Sequence, residues 1–145
     1  MANPYRTTVF LLLLTGLAAG CSPEQPQSVT GRWYTAAQVE QGRILFQTHC
    51  ASCHGDRAQG LAADWRKTDA NGNYPPPPLN GSAHAWHHPF VVLERTIKDG
   101  GIPLGGVMPG FARTLSDAEV RSTIAFFQSH WSDEIYSRWA AINER

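Results

Sequence analysis

The sequence predicts an all-α domain. Two capping boxes, Thr35-Ala36-Ala37-Gln38 and Ser116-Asp117-Ala118-Glu119, each precede a run of apolar residues at three- and four-residue spacing. Thirteen glycines and ten prolines mark long loops between the helices, and no βαβ pattern is visible. The 145 residues suffice for one domain, and 12 basic residues balance 12 acidic ones. A neutral chain gives no electrostatic reason to expect a nucleic-acid partner.

Residues 1–20 have the features of a secretory signal peptide. Arg6 precedes the continuous apolar run Val9–Leu14, and small residues follow it. Leu17-Ala18-Ala19-Gly20-Cys21 resembles a bacterial lipobox, which implies cleavage before Cys21 and lipidation of its thiol. Residues 21–34, polar and with two prolines, are then expected to form a flexible tether. The alternatives are an ordinary cleavable signal or an uncleaved anchor, and in each case the domain lies outside the cytoplasm.

The first helix is expected to begin at Thr35 and to run into Cys50. Val39, Gly42 and Phe46 share one face of it. Glycine in a helix interior costs about 1 kcal/mol relative to alanine, so Gly42 indicates that another helix backbone crosses closely there.

The segment Cys50-Ala51-Ser52-Cys53-His54 reads C-x-x-C-H, the attachment signature of a c-type haem. The two thiols lie about one helical turn apart and can form thioethers with one edge of a porphyrin, and His54 offers an axial imidazole. A C-x-x-C pair alone also occurs in zinc sites and thioredoxin-like proteins. Zinc would need two further ligands, and no other cysteine is available once Cys21 is lipidated.

The spaced pattern Val39-Glu40-x-Gly42-x-x-x-Phe46-x-x-x-Cys50-x-x-Cys53-His54-Gly55 resembles the N-terminal helix of class I cytochromes c. The resemblance extends over residues 35–131. It implies a cytochrome c fold, with three to five helices around one covalently attached haem c. It also implies that Gly42 and Phe46 pack across the helix that begins at Ser116, whose predicted buried side comprises Val120, Thr123, Ile124, Phe126 and Phe127.

Two further residues are assigned to the haem by this resemblance. Pro77-x-Leu79-x-Gly81 is similar to the family segment in which a proline carbonyl accepts the N–H of the axial histidine, so Pro77 would orient His54. The alternative is that the run Pro75–Pro78 is an exposed linker. Trp86 is a candidate donor to a haem propionate, and simple packing is its alternative.

Met108 is the candidate sixth ligand. The chain has two methionines, and Met1 leaves with the leader. Met108 lies in a Gly/Pro loop 54 residues after His54, where class I cytochromes c carry a ligating Met-Pro pair. The rival ligands are His84, His87, His88, His130 and Lys98, of which a histidine from the 84–88 loop is the main one.

Two helices complete the prediction. A short helix over 90–98 follows Pro89 and ends at Gly100-Gly101, with Phe90, Leu93 and Ile97 on its apolar face. Residues 132–145 are expected to form an amphipathic C-terminal helix, with Ile135, Trp139 and Ile142 in line. The cytochrome pattern does not require this tail, which either packs on the domain or docks a partner.

Ligation by both His54 and Met108 would leave iron no open position, which suits single-electron transfer rather than catalysis. The sequence therefore predicts a non-enzymatic electron carrier, a lipoprotein tethered to the membrane on the bacterial periplasmic side. Its redox partners would be an oxidase, a reductase or a dehydrogenase. The alternatives are a haem-based sensor or ligand-binding protein with a labile Met108, and a metal-binding accessory protein that uses His84, His87 and His88.

Overall fold

Five α-helices make up the regular structure of the computed structural model, which describes residues 28–104 and 106–143. Two 3-10 turns, Ala85–His87 and Ile102–Leu104, lie on either side of the third helix. Within those ranges there is no strand, only an isolated bridge between Ser28 and Thr35, so the all-α prediction is confirmed. The helices are α1 (Ala36–His49), α2 (Ala51–His54), α3 (Phe90–Asp99), α4 (Asp117–Ser129) and α5 (Asp133–Asn143).

The predicted signal peptide over 1–20, the predicted lipidation site Cys21 and the first part of the predicted tether lie outside the described residues. None of the helices in the described part of the chain is long and apolar enough to cross a membrane.

The crossing of α1 over α4 is the main packing contact of the domain. A Cβ added to Gly42 would overlap the backbone carbonyl of Ser122 and lie 3.0 Å from the Cβ of Phe126. Phe46 is fully buried, and its ring centroid is 5.0 Å from that of Phe126. The close approach predicted from a helical glycine is therefore present.

Capping places both crossing helices where the sequence predicted them. The side chain of Thr35 accepts the backbone N–H of Gln38, and Ser116 and Glu119 form the same reciprocal pair at the start of α4. In α3, Leu93 and Ile97 are buried as expected. Gly100 ends α3 with a φ of 75°, a conformation that favours glycine.

The predicted tether ends too late, because the fold already includes the residues just before α1. Tyr34 is 2% exposed. The indole N–H of Trp33 donates to the Oε1 atom of Gln128 at 2.7 Å, and its backbone N–H donates to the Tyr136 hydroxyl at 2.9 Å. Two adjacent aromatic residues lose a large apolar area from water when they pack between α4 and α5, so they belong to the core.

The C-terminal helix packs on the domain, which is one of the two possibilities left open by the sequence. Tyr136 and Trp139 of α5 are buried. The indole N–H of Trp139 donates to the carbonyl oxygen of His88 at 3.0 Å, and the Oδ1 atom of Asn143 accepts the first N–H of α3, that of Phe90, at 2.8 Å. Helix α5 thereby holds the 84–88 loop and the start of α3.

Candidate haem site

A large cleft lies where α1 and α2 meet the polyproline run, α3 and the loop that carries Met108. It has two lobes, of about 620 Å³ and 780 Å³. Volumes of this size are typical of cofactor sites. The two lobes are adjacent, because they share six lining residues. The residues common to both are Cys50, His54, Pro77, His84, Gly101 and Met108.

The two cysteines of the C-x-x-C-H segment lie at the junction of α1 and α2, and both line the cleft. Each is a free thiol, Cys50 buried and Cys53 exposed. Burial, with a smaller contribution from the neighbouring Cys53, raises the pKa of the Cys50 thiol to about 11. Because neither cysteine is in a disulfide, both sulfurs are available for thioether formation.

The backbone around His54 fixes its imidazole at the cleft wall. The side chain is 7% exposed, and its Nδ1 atom lies 2.9 Å from the carbonyl oxygen of Pro77. A carbonyl only accepts, so Nδ1 carries the proton and Nε2 keeps a free lone pair. Burial lowers the pKa of His54, and the bond to Pro77 opposes this only in part. The imidazole is therefore neutral, which is the form that binds a metal.

The polyproline run is part of the cleft wall rather than an exposed linker, so the linker alternative is wrong. The backbone N–H groups of Leu79 and Asn80 both donate to the carbonyl oxygen of Ala58, at 2.7 and 3.1 Å. The indole N–H of Trp131 donates to the carbonyl of Leu79 at 2.7 Å. These bonds hold the segment beside α2 and bring the Pro77 carbonyl to His54.

The loop that carries Met108 is anchored to the end of α3 by backbone hydrogen bonds. Gly101 donates to the carbonyl of Met108 at 2.9 Å, and Phe111 donates to the carbonyl of Ile97 at 3.0 Å. A Cβ at Gly110 would lie 2.7 Å from the Lys98 carbonyl oxygen, so only glycine allows this approach. Met108 is partly buried and lines both lobes.

Trp86, the predicted propionate donor, lines neither lobe of the cleft. Its ring packs edge-on against His87 at 3.8 Å between centroids, and the guanidinium of Arg138 lies 5.9 Å from it. This position agrees with the alternative role given to Trp86 in the sequence analysis, which was simple packing. The carboxylate-binding role stays a prediction without a contact to support it.

Of the five rival ligands, two line the cleft: His84 in both lobes and His88 in one. Lys98 instead forms an ion pair with Asp117 at 2.6 Å, and the ring of His130 packs on Phe126 at 5.0 Å. Among the described residues, no group of three or more His, Cys, Asp and Glu side chains is placed to hold a metal ion. The metal-binding alternative for His84, His87 and His88 therefore lacks the geometry it needs.

Sequence reasoning missed the aromatic residues that the 56–74 loop brings to the cleft. Trp65 and Tyr74 both line one lobe. The only local signal was the presence of two large aromatic side chains in a polar loop, and their position depends on how the loop folds back.

A helical fold with two free thiols, a neutral imidazole and a thioether around one cleft suits an iron porphyrin held by the chain itself. Thiols supply the covalent links, and imidazole nitrogen and thioether sulfur are axial ligands of haem iron in electron-transfer proteins. The fold and the site together define a domain of the c-type cytochrome class.

The family can be stated more closely. Residues 37–127 match the family described as cytochrome c oxidase, cbb3-type, subunit III, and the chain belongs to this family. The match covers every residue of the candidate site and ends before α5. Haem c is the cofactor that the family implies.

Two curated relatives are both described as cbb3-type cytochrome c oxidase subunit CcoP. The one from Azospirillum sp. (strain B510) is 31% identical over 99 residues, which are 68% of this chain and 31% of the relative. The one from Azospirillum brasilense is 31% identical over 99 residues, 30% of its length. The chain thus spans about a third of the curated relatives it matches. No solved structure matches the chain.

Proposed function

We propose that this chain is a single-electron carrier with one covalently attached haem c, ligated by His54 and Met108. One observation carries the proposal: a single cleft is lined by Cys50, Cys53, His54 and Met108 together. The chain contains one C-x-x-C-H segment, which accounts for one haem. Haem iron, when bound, supplies a one-electron couple between its ferrous and ferric states.

The chain's own residues hold, orient and enclose the group. Cys50 and Cys53 would bind it covalently, and His54 would offer Nε2 to the metal in an orientation set by the Pro77 carbonyl. Met108 would offer its thioether sulfur to the same metal. Thioether ligation favours the ferrous state relative to a second histidine, so we expect a comparatively high reduction potential. The largely apolar walls of the cleft would limit the access of water to the bound group.

Electron transfer would take place where the cleft opens to solvent. Cys53 is exposed, and Tyr74 and Val107 at the same lobe are 64% and 52% exposed. With a net charge of zero, such a rim favours a weak, largely apolar contact with little electrostatic steering. Brief contacts of this kind suit a protein that exchanges electrons repeatedly.

The names of the relatives suggest an oxidase as the electron acceptor, and a reductase or dehydrogenase would supply the electrons. We further propose that the chain acts on the periplasmic side of a bacterial membrane, held by lipid at Cys21. The mass of the N-terminal peptide after protease digestion tests the anchor. Acyl chains on a new N-terminal cysteine are expected, and an unmodified Cys21 in the mature protein would contradict the anchor.

Replacing the proposed sixth ligand tests the function directly. The native oxidised protein should show a weak far-red iron–sulfur band, and Met108→Leu, which keeps the apolar volume, should lose it. Reduced Met108→Leu should bind carbon monoxide, whereas the reduced native protein should not. Val107→Leu, in the same loop, is the matched control and should behave as native. Carbon monoxide binding by the native protein at neutral pH would instead support the sensor alternative.

A further inference from the structure

His84 is the polar side chain of the cleft whose role the proposed ligands leave unexplained. It lines both lobes, beside the cysteines, His54 and Met108. Its Nδ1 atom is buried and has no hydrogen-bond partner within the described ranges. A buried polar atom that is left unpaired destabilises the folded protein. An imidazole held in this way indicates a ligand that supplies the missing hydrogen-bond partner.

The ring of His84 is fixed by its neighbours. It stacks on Trp65 with 4.9 Å between centroids and a 30° interplanar angle, and His88 packs edge-on against it at 5.5 Å. The His84 carbonyl accepts the backbone N–H of His87 at 2.9 Å, which holds the residue at the start of the 3-10 turn. A ring restrained on both sides is preorganised to bond a group inside the cleft.

The titratable groups around the cleft limit what this partner can be. Burial lowers the pKa of His84, and His88 and His87 add to this effect. Besides the histidines just named and the haem-attachment residues, four titratable side chains line the lobes: His49, Tyr74, Arg95 and Asp99. A neutral imidazole keeps one N–H to donate, and a haem would bring two carboxylates, which accept hydrogen bonds, into a largely apolar space.

We propose that the imidazole of His84 binds a carboxylate of the haem and donates a hydrogen bond to it, the role that the sequence had assigned to Trp86. This rests on the proposed haem function. A carboxylate that loses its donor bears a fuller negative charge, and negative charge near the iron favours the ferric state. The hydrogen bond from His84 should therefore raise the reduction potential of the domain.

Spectroelectrochemical titration of the haem-loaded protein at fixed pH and salt measures this effect. His84→Phe keeps a ring for Trp65 but removes both nitrogens. We expect the reduced-to-oxidised ratio at a given electrode potential to fall by up to about tenfold, or about 59 mV for one electron. Asn places an amide near the Nδ1 position and Gln near the Nε2 position, so one of His84→Asn and His84→Gln should restore the native potential. His84→Leu serves the same purpose if the Phe variant does not accumulate.

The matched control is His87→Phe, a ring of the same loop that lines neither lobe. It should leave the potential unchanged. A native potential in His84→Phe, or an equal shift in His87→Phe, would overturn the assignment of His84. In both cases the proposed electron-transfer function would still be supported if the variant kept the spectrum of covalently bound haem. Purified native protein without covalent haem would contradict that function itself.

Discussion

The Nδ1 atom of His54 lies 2.9 Å from the carbonyl oxygen of Pro77, a residue 23 positions further along the chain. This bond fixes which nitrogen carries the proton and which way the ring faces. Because the accepting carbonyl belongs to the backbone, the pyrrolidine ring of Pro77 takes no part in the hydrogen bond. It influences His54 only by restricting the backbone conformation of its segment.

Pro77→Ala should therefore keep the low-spin haem spectrum and a reduction potential close to native. It should lower the free energy of unfolding by about 0.4–1 kcal/mol, because the unfolded chain gains conformational freedom. Chemical denaturation and a redox titration check the two parts, with Pro76→Ala as the control. Loss of the low-spin spectrum in Pro77→Ala alone would show that the pyrrolidine ring itself positions His54.

Gly42→Ala tests the helix crossing. The added methyl would overlap the Ser122 carbonyl, which forces α1 away from α4. Overpacking typically costs about 1–3 kcal/mol, which exceeds the roughly 1 kcal/mol that alanine gains in a helix. Gly101→Ala is the control, since its methyl finds its nearest atom at 3.7 Å. Denaturant unfolding should show a large loss for the first variant and a small change for the second.

Trp139→Ala tests whether α5 contributes to the domain. The side chain is 4% exposed and holds the His88 carbonyl, so its removal should cost about 3–5 kcal/mol. Arg138→Ala, next to it on the exposed side of the helix, should cost less than about 1 kcal/mol. Equal unfolding midpoints for the two variants would mean that the domain is stable without the contacts of α5.

Tyr34 gives the stability a dependence on alkaline pH. Burial raises the pKa of its hydroxyl above the usual 10.0, although Arg32 partly opposes this. The folded chain then binds this proton more tightly than the unfolded chain, so its contribution is complete below about pH 10 and is lost as the pH rises past that value. Tyr34→Phe should flatten this decline in unfolding free energy above about pH 10. The exposed Tyr74→Phe should retain it, and parallel curves for all three proteins would contradict the assignment.

Much of the site follows from residues that lie close together in the sequence. The C-x-x-C-H segment, the two capping boxes and the glycine four residues before Phe46 are local patterns, and each predicted its helix or contact. The sequence also left Met108 as the one candidate for a thioether ligand, because the chain holds no other methionine after its first residue. Such patterns can be interpreted without a structure, because the backbone geometry of a few neighbouring residues determines where their side chains lie.

Only the tertiary structure showed that Trp33 and Tyr34 belong to the core, that α5 closes over the 84–88 loop, and that His84 rather than Trp86 lines the cleft. These facts depend on contacts between segments 50 to 100 residues apart, such as Trp139 with His88 and Trp33 with Gln128. Neighbouring residues in one loop have similar local preferences, and the distant surface on which the loop packs decides which of them faces the cleft. The local sequence determined which chemical groups are present, and long-range packing determined which of those groups line the cleft together.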